Sequence, residues 1–365
     1  MIERNLRSYT KSTGEPQRVR SISAPPVGRG APARMEERHQ SLPIGAQSRR
    51  HFIRAIAAGA GAAVWSRAHA SGDPSNADAP SDGFRPIVAR ARSSHAIRGT
   101  SVHPLVLREM LGESLIALTG TASVVAAWRS ILKPDDVIGI KFNRSGQDGL
   151  GTTETFASEL IASITSAGWS RERIVCIEAP RGLDRHLGTQ PARIGFDEHP
   201  TDFGSGSDQF ASVLNQITAL ICVPFLKTHN VAGMTCCLKN LSHGLVKHPA
   251  RYHGGGCAPY IGDIVSSAPI KSKLRLCIVD ALRVVFEGGP EASAGFTGDA
   301  GVVLAGTDPV ACDAIGLTVL NQVRADKGLA PLAATAAELP YLAAAAQRGL
   351  GTAARHAIEV AEIHR

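Results

Sequence analysis

Residues 223–256, VPFLKTHNVAGMTCCLKNLSHGLVKHPARYHGGG, concentrate side chains able to do chemistry. They hold four of the 13 histidines (His229, His243, His248, His253), three lysines, Arg251 and the pair Cys236–Cys237. So many polar groups directly after an apolar run are costly unless they are solvated or line a site. Neutral imidazoles ligate borderline metals, and a lysine can hold an anion. Lys227, His229 and Lys239 are therefore the candidate catalytic residues. His229 is read as a general base alpha to a carboxylate that a lysine or arginine holds. Asn143, Lys239, Asn240 and Arg251 are candidates for holding a ligand or cofactor. His229, His253, Asp280 and Asp308 are candidate metal ligands. Asp308 has a competing role as a helix N-cap, and Asp313 can bond a backbone loop instead. The vicinal cysteines can bind metal or pack as small residues.

Elements must bring these residues together. Apolar runs VIGIKF (137–142), IVCIEA (174–179), ALICVPFL (219–226), LRLCIVDAL (274–282) and GVVLAG (301–306) read as strands. Helical patterns lie near 153–168 and 208–217, from Pro309 to Val323, and in the Ala-rich tail 333–346. Continuous apolar strands alternating with helices predict an α/β fold, with a mostly parallel, Rossmann-like sheet covered by helices on both faces. Ligands in such sheets sit beyond the strand carboxyl ends. Those ends are Asn143, Pro180, Lys227, Asp280 and Asp308, so Lys227 and His229 are expected at that edge, with Lys239 folded back over it. Residues 289–301 read as a mobile Gly-rich loop, with no P-loop or dinucleotide fingerprint.

Charge separates the chain into parts. Residues 1–70 hold 12 Lys+Arg against 4 Asp+Glu, and the remainder holds 27 against 28. The formal charge of +7 thus belongs to the first 70 residues, and the folded part has no field to attract nucleic acid. Those first residues contain Arg49–Arg50, Phe52–Ile53, a weakly apolar Gly/Ala segment and Ala68-His69-Ala70, which together read as a twin-arginine signal peptide cleaved before Ser71. Met35 is a second possible start that leaves a leader of ordinary length. The twin-arginine translocase and a signal peptidase are the implied partners, and the periplasm is the implied compartment. The apolar run is too short and too glycine-rich for a stable membrane span. Residues 71–84 read as a flexible linker, and 85–365 as a single α/β domain. Seven cysteines without framework spacing argue against a disulfide scaffold, and the lack of a CxxC excludes ferredoxin-type clusters and zinc ribbons. Cys176, Cys222 and Cys277, inside strand-like runs, read as small buried hydrophobes.

The motifs PFLKTH, LKNLSHG, RYH, VDAL, GGP and AGTDPVACDAIG, in that order, resemble the domain-of-unknown-function-362 family, and IGIKFN with GTTE resembles its start. The resemblance covers about 137–320 and implies a fold more than a reaction. A fainter similarity is to the lactate racemase family, which holds a nickel-pincer nucleotide through a lysine. Here His229 precedes Lys239 by ten residues and His253 follows. Cys236–Cys237 stands where that family has paired glycines, and its Pro-Gly after the lysine is missing.

The function expected from these readings is an exported α/β protein that binds a metal ion or metal-containing cofactor and acts on a small polar or anionic substrate. A racemase-like, epimerase-like or redox reaction fits the residue types. The alternative is a non-catalytic metal or cofactor carrier serving another exported enzyme.

Overall fold

The computed structural model describes residues 85–365. The twin-arginine leader, the cleavage site at Ala70, the linker 71–84 and the second start at Met35 lie outside the described residues. The strands are β1 (Ile87–Arg92), β2 (Ile138–Lys141), β3 (Ile174–Ile177), β4 (Ala219–Cys222), β5 (Phe225–His229), β6 (Gly233–Thr235), β7 (Leu274–Val285), β8 (Thr297–Gly306) and β9 (Glu359–His364). The helices are α1 (Pro104–Thr119), α2 (Val124–Ile131), α3 (Thr153–Ser166), α4 (Cys237–His243), α5 (Tyr260–Ser266), α6 (Pro309–Asp326) and α7 (Pro340–Gln347), with shorter turns between.

These nine strands join one sheet, ordered β9-β1-β8-β7-β4-β2-β3, with β5 paired to β7 and β6 to β5, while the short segments Ile97–Arg98 with Ser101–Val102 and Thr201–Asp202 with Ser207–Asp208 form two separate two-stranded ribbons. Five of the eight pairings are parallel, so the expected mostly parallel α/β architecture is present as a mixed sheet. Alternation along the strands assigns the faces. Ala219, Ile221, Leu276, Ile278, Ile138 and Ile140 point into a core covered by α1, α2 and α3. Leu220, Cys222, Cys277, Val279 and Leu304 point into the other core, covered by α4, α5, α6 and α7. Among the described residues, no single helix is long and apolar enough to cross a membrane.

Three expectations change. The apolar run 219–226 is two strands, because Pro224 has no N–H to continue the ladder. Around the break, Val223 N–H donates to Lys141 O (2.7 Å), Asp280 N–H to Pro224 O (2.8 Å) and Phe225 N–H to Asn143 Oδ1 (2.9 Å). The chain then resumes as β5, so Lys227–His229 lie within a strand rather than after one. The helix expected near 208–217 is only a 3-10 turn, Ser212–Gln216. Residues 297–301 of the expected Gly-rich loop belong to β8, which runs antiparallel to β7. Strand β1 and the edge strand β9 had no counterpart in the sequence reading.

Candidate metal and anion site

After β5 the chain turns back as β6, pairing Gly233 with His229 and Thr235 with Lys227. It then enters α4, whose first turn is held by the buried Asp313. That carboxylate accepts from Cys237 N–H (2.7 Å), Leu238 N–H (3.4 Å) and the Tyr341 hydroxyl (3.1 Å). Anchored this way, α4 presents Lys239 and His243, four residues apart, on one side and Asn240 beside them.

Lys239, His243, His229, His253 and Cys257 converge. Lys239 Nζ lies 3.3 Å from His253 Nε2. The His253 ring stacks on His229 at 5.6 Å and meets His243 edge-on at 4.5 Å. One ligand atom from each of His243, His253 and Cys257 lies within 4.8 Å of the others. His243 Nε2 is buried without a hydrogen-bond partner. Cys257 is fully buried and reaches inward from a left-handed run, Gly255 (φ 58°), Gly256 (φ 68°) and Cys257 itself (φ 67°). A non-glycine residue in that region costs about 1–2 kcal/mol, and such strain collects at functional sites.

Burial and mutual repulsion keep the imidazoles uncharged and make the lysines easier to deprotonate. Burial, reinforced by Lys239 and His253, lowers His229 to about 3. Burial and then Lys239 lower His243 to about 2. Burial alone brings Lys239 down to about 8. Lys227 also falls to about 8, chiefly by burial against the opposing pull of Glu291, and its Nζ donates to Ser145 O at 2.6 Å.

A second nest adjoins the first. The wholly buried Lys141 donates to Glu178 (2.8 Å), Asn240 Oδ1 (2.9 Å) and Phe142 O (2.8 Å). Asn240 Nδ2 donates in turn to Lys141 O (3.0 Å). Among the described residues, Glu178 is the other non-glycine residue with a left-handed backbone (φ 54°). A Cβ on Gly244 would sit 2.5 Å from Lys141 Nζ, so only glycine admits this approach.

The structure brings together Lys239, His229 and His253, with Lys227 near enough to shift His229. Other candidates fall elsewhere. Asp280 alternates with Val279 and Ala281, which places it on the opposite face of the sheet, where it accepts from Thr152 Oγ1 (2.5 Å). Asp308 follows the antiparallel β8 and so lies toward the amino ends of the parallel strands. It caps α6 through Ala311 N–H (2.8 Å) and accepts from Thr352 N–H (3.0 Å). A metal set of His229, His253, Asp280 and Asp308 is therefore not assembled. The His229 lone pair is also engaged, since Nδ1 accepts from Val231 N–H (3.1 Å) and Ala232 N–H (3.2 Å). Its proton then sits on Nε2, which makes it a donor rather than the expected base. Asn143 and Asn240 spend their amides on internal bonds, and Arg251 is exposed on a 3-10 turn, over the Tyr252 ring at 5.8 Å. The sequence reading missed Lys141, Glu178, His243 and Cys257 as site residues. The Lys239–His243 and His253–Cys257 spacings of four were the available signals.

Residues 194–318 match the family described as Domain of unknown function (DUF362). That span carries Lys227, His229, Lys239, His243, His253 and Cys257, while Lys141 and Glu178 precede it. No curated protein matches the chain. Among solved structures, a protein from Thermotoga maritima is similar at 10% identity and a TM-score of 0.32, over 64% of this chain and 61% of its own. The chain thus spans less than two thirds of that protein's length.

Proposed function

We propose that this chain is an exported metalloprotein that holds a divalent transition metal through His243, His253 and Cys257 and receives a small anionic ligand beside it. The observation carrying this reading is the convergence of one ligand atom from each of His243, His253 and Cys257 within 4.8 Å, together with a His243 Nε2 that is buried without a partner. Two nitrogens and one sulfur suit zinc, nickel or cobalt better than magnesium or calcium. His253 is also oriented from behind, by hydrogen bonds to the backbone at Pro249 and Ala250, as metal-ligating imidazoles commonly are. Export is read from the arginine pair and the small residues before Ser71.

A metal bound there supplies a Lewis acid next to the ligand. The Lys227 and Lys239 ammonium groups offer charge to a carboxylate or phosphate, and His229 Nε2–H offers a directed donor. Lys239 replaces His229 as the acid–base group, because burial holds it near 8, where both protonation states are populated close to neutral pH. When His253 gives its Nε2 lone pair to a metal, Lys239 is released toward the anion. The half-exposed position of His253 supports a second reading, a carrier that passes its metal to another protein.

The test is zinc and nickel binding to the purified full chain, by calorimetry and elemental analysis. His243→Ala, His253→Ala and Cys257→Ala should each weaken binding more than about 100-fold while the protein stays folded. Unchanged affinity in all three overturns the reading. Lys239→Met should weaken binding of a 2-hydroxycarboxylate to the metal-loaded protein, and turnover of that acid by the parent alone separates enzyme from carrier.

A further inference from the structure

Four of the seven cysteines gather in one core, three of them close together and Cys312 beside them, although they come from four elements. Cys222 ends β4 and Cys277 lies directly beside it on β7, so both thiols leave the same face of the sheet. Cys237 descends from the first turn of α4, and Cys312 from α6. Ligand atoms of Cys222, Cys237 and Cys277 lie within 4.8 Å of one another. The Cys277 thiol interacts with those of Cys222, Cys237 and Cys312, and Cys312 interacts with Cys237 as well. All four are fully buried and none forms a disulfide.

Room for the fourth thiol is made by a glycine. Gly306 is the β8 residue paired with Cys277, and a Cβ there would stand 2.7 Å from Cys312 Sγ. Core cysteines acting only as small hydrophobes have no reason to face one another, since a thiol is a weak hydrogen-bonding group. Three sulfurs within 4.8 Å of one another and a fourth beside them can supply the closed tetrahedral S4 environment of zinc or iron. Metal–sulfur bonds of about 2.3 Å give sulfur–sulfur edges of about 3.8 Å, so Cys222, Cys237 and Cys277 need to close in by no more than about 1 Å, and Cys312, more than 4.8 Å from at least one of them, must turn inward to complete the set.

From this geometry we infer a second, structural metal site, formed by Cys222, Cys237, Cys277 and Cys312 and filled by one zinc or ferrous ion. Four protons leave as the ion enters, and the resulting tetrathiolate carries a net charge of −2. Two groups answer that charge. Asn240 Nδ2 donates to Cys222 Sγ at 3.4 Å, and Lys141 sits in register with Cys222 on β2. Such N–H···S contacts are the usual surroundings of thiolate ligands. Asn240 and Lys141 thereby link this dry site to the His243–His253–Cys257 group on the other side of α4. The site is closed on every side, so the ion must be acquired as the chain folds.

The test uses the full chain produced with zinc and iron supplied, and it separates the two sites. In the triple variant His243→Ala/His253→Ala/Cys257→Ala, one zinc or iron per chain should persist. It should resist chelators in the native state, leave on denaturation, and show four sulfurs at about 2.3 Å by X-ray absorption. Adding Cys277→Ala should abolish it. Should the triple variant fail to fold, Cys277→Ala in the parent must lower the metal content by one per chain and remove the sulfur-only signal. A folded parent or triple variant with no sulfur-only metal overturns the second site, whatever happens at the first. Loss of metal only in the His243, His253 and Cys257 variants upholds the proposed function and sinks this inference.

Discussion

Helix α4 serves two clusters built from overlapping residue types, and their surroundings differ in kind. Cys237, at its start, points into a thiol group whose other members sit on β4, β7 and α6. Lys239 and His243, further along, point toward His253 and Cys257, which come from consecutive 3-10 turns at 249–252 and 254–257. Regular elements pack all four thiols to complete burial. The turns leave His253 half-buried and force Cys257 into a left-handed backbone. The same donors thus become a closed site where strands and helices deliver them and an accessible one where a strained turn does.

Lys141 stands between the two clusters, and changing it should have the largest effect. Lys141→Met leaves Asn240 Oδ1 unpartnered and Glu178 without its counter-charge. Glu178 keeps 28% side-chain exposure, so solvent softens the loss to about 3 kcal/mol, read from urea unfolding. A loss below about 1 kcal/mol would mean that the nest is not what joins the clusters.

Gly306→Ala should act on the closed cluster alone. The added methyl meets Cys312 Sγ and, at 3.3 Å, Ile87 O, and overpacking of this kind costs about 1–3 kcal/mol. Zinc affinity at the His243–His253–Cys257 group should not change. A parallel fall in that affinity would show that the two clusters are one cooperative unit.

The smallest effect belongs to the opposite face of the sheet and serves as the control. Burial raises Asp280 to about 6, so the folded chain keeps a proton that the unfolded chain releases near 3.8. The stabilisation is present below about 3.8 and is lost as pH rises through about 6. Relative to Asp280→Asn, the parent should lose about 2 kcal/mol between pH 4 and 7 and then level off. Neither cluster's metal content should follow that profile.

Composition and pattern alone were enough for the α/β class, the β2, β3, β7 and β8 positions and the α6 start at Asp308–Pro309, because apolar periodicity and capping act over a few residues. They also marked out 223–256 as chemically dense. Strand direction was not local: GVVLAG looks the same whichever way it runs, and only pairing with β7 revealed β8 as antiparallel and removed Asp308 from the site. Asp280 was legible in principle, since its parity with Ile278 sends it to the far face. The role of His229 was not, because two backbone N–H groups from its own turn decide where its proton sits. Nor could spacing show that Cys222, Cys237, Cys277 and Cys312 gather. Their separations of 15, 40 and 35 residues carry no ligand signature, and a thiol in an apolar run reads as a hydrophobe until sheet register and helix packing set it beside three others.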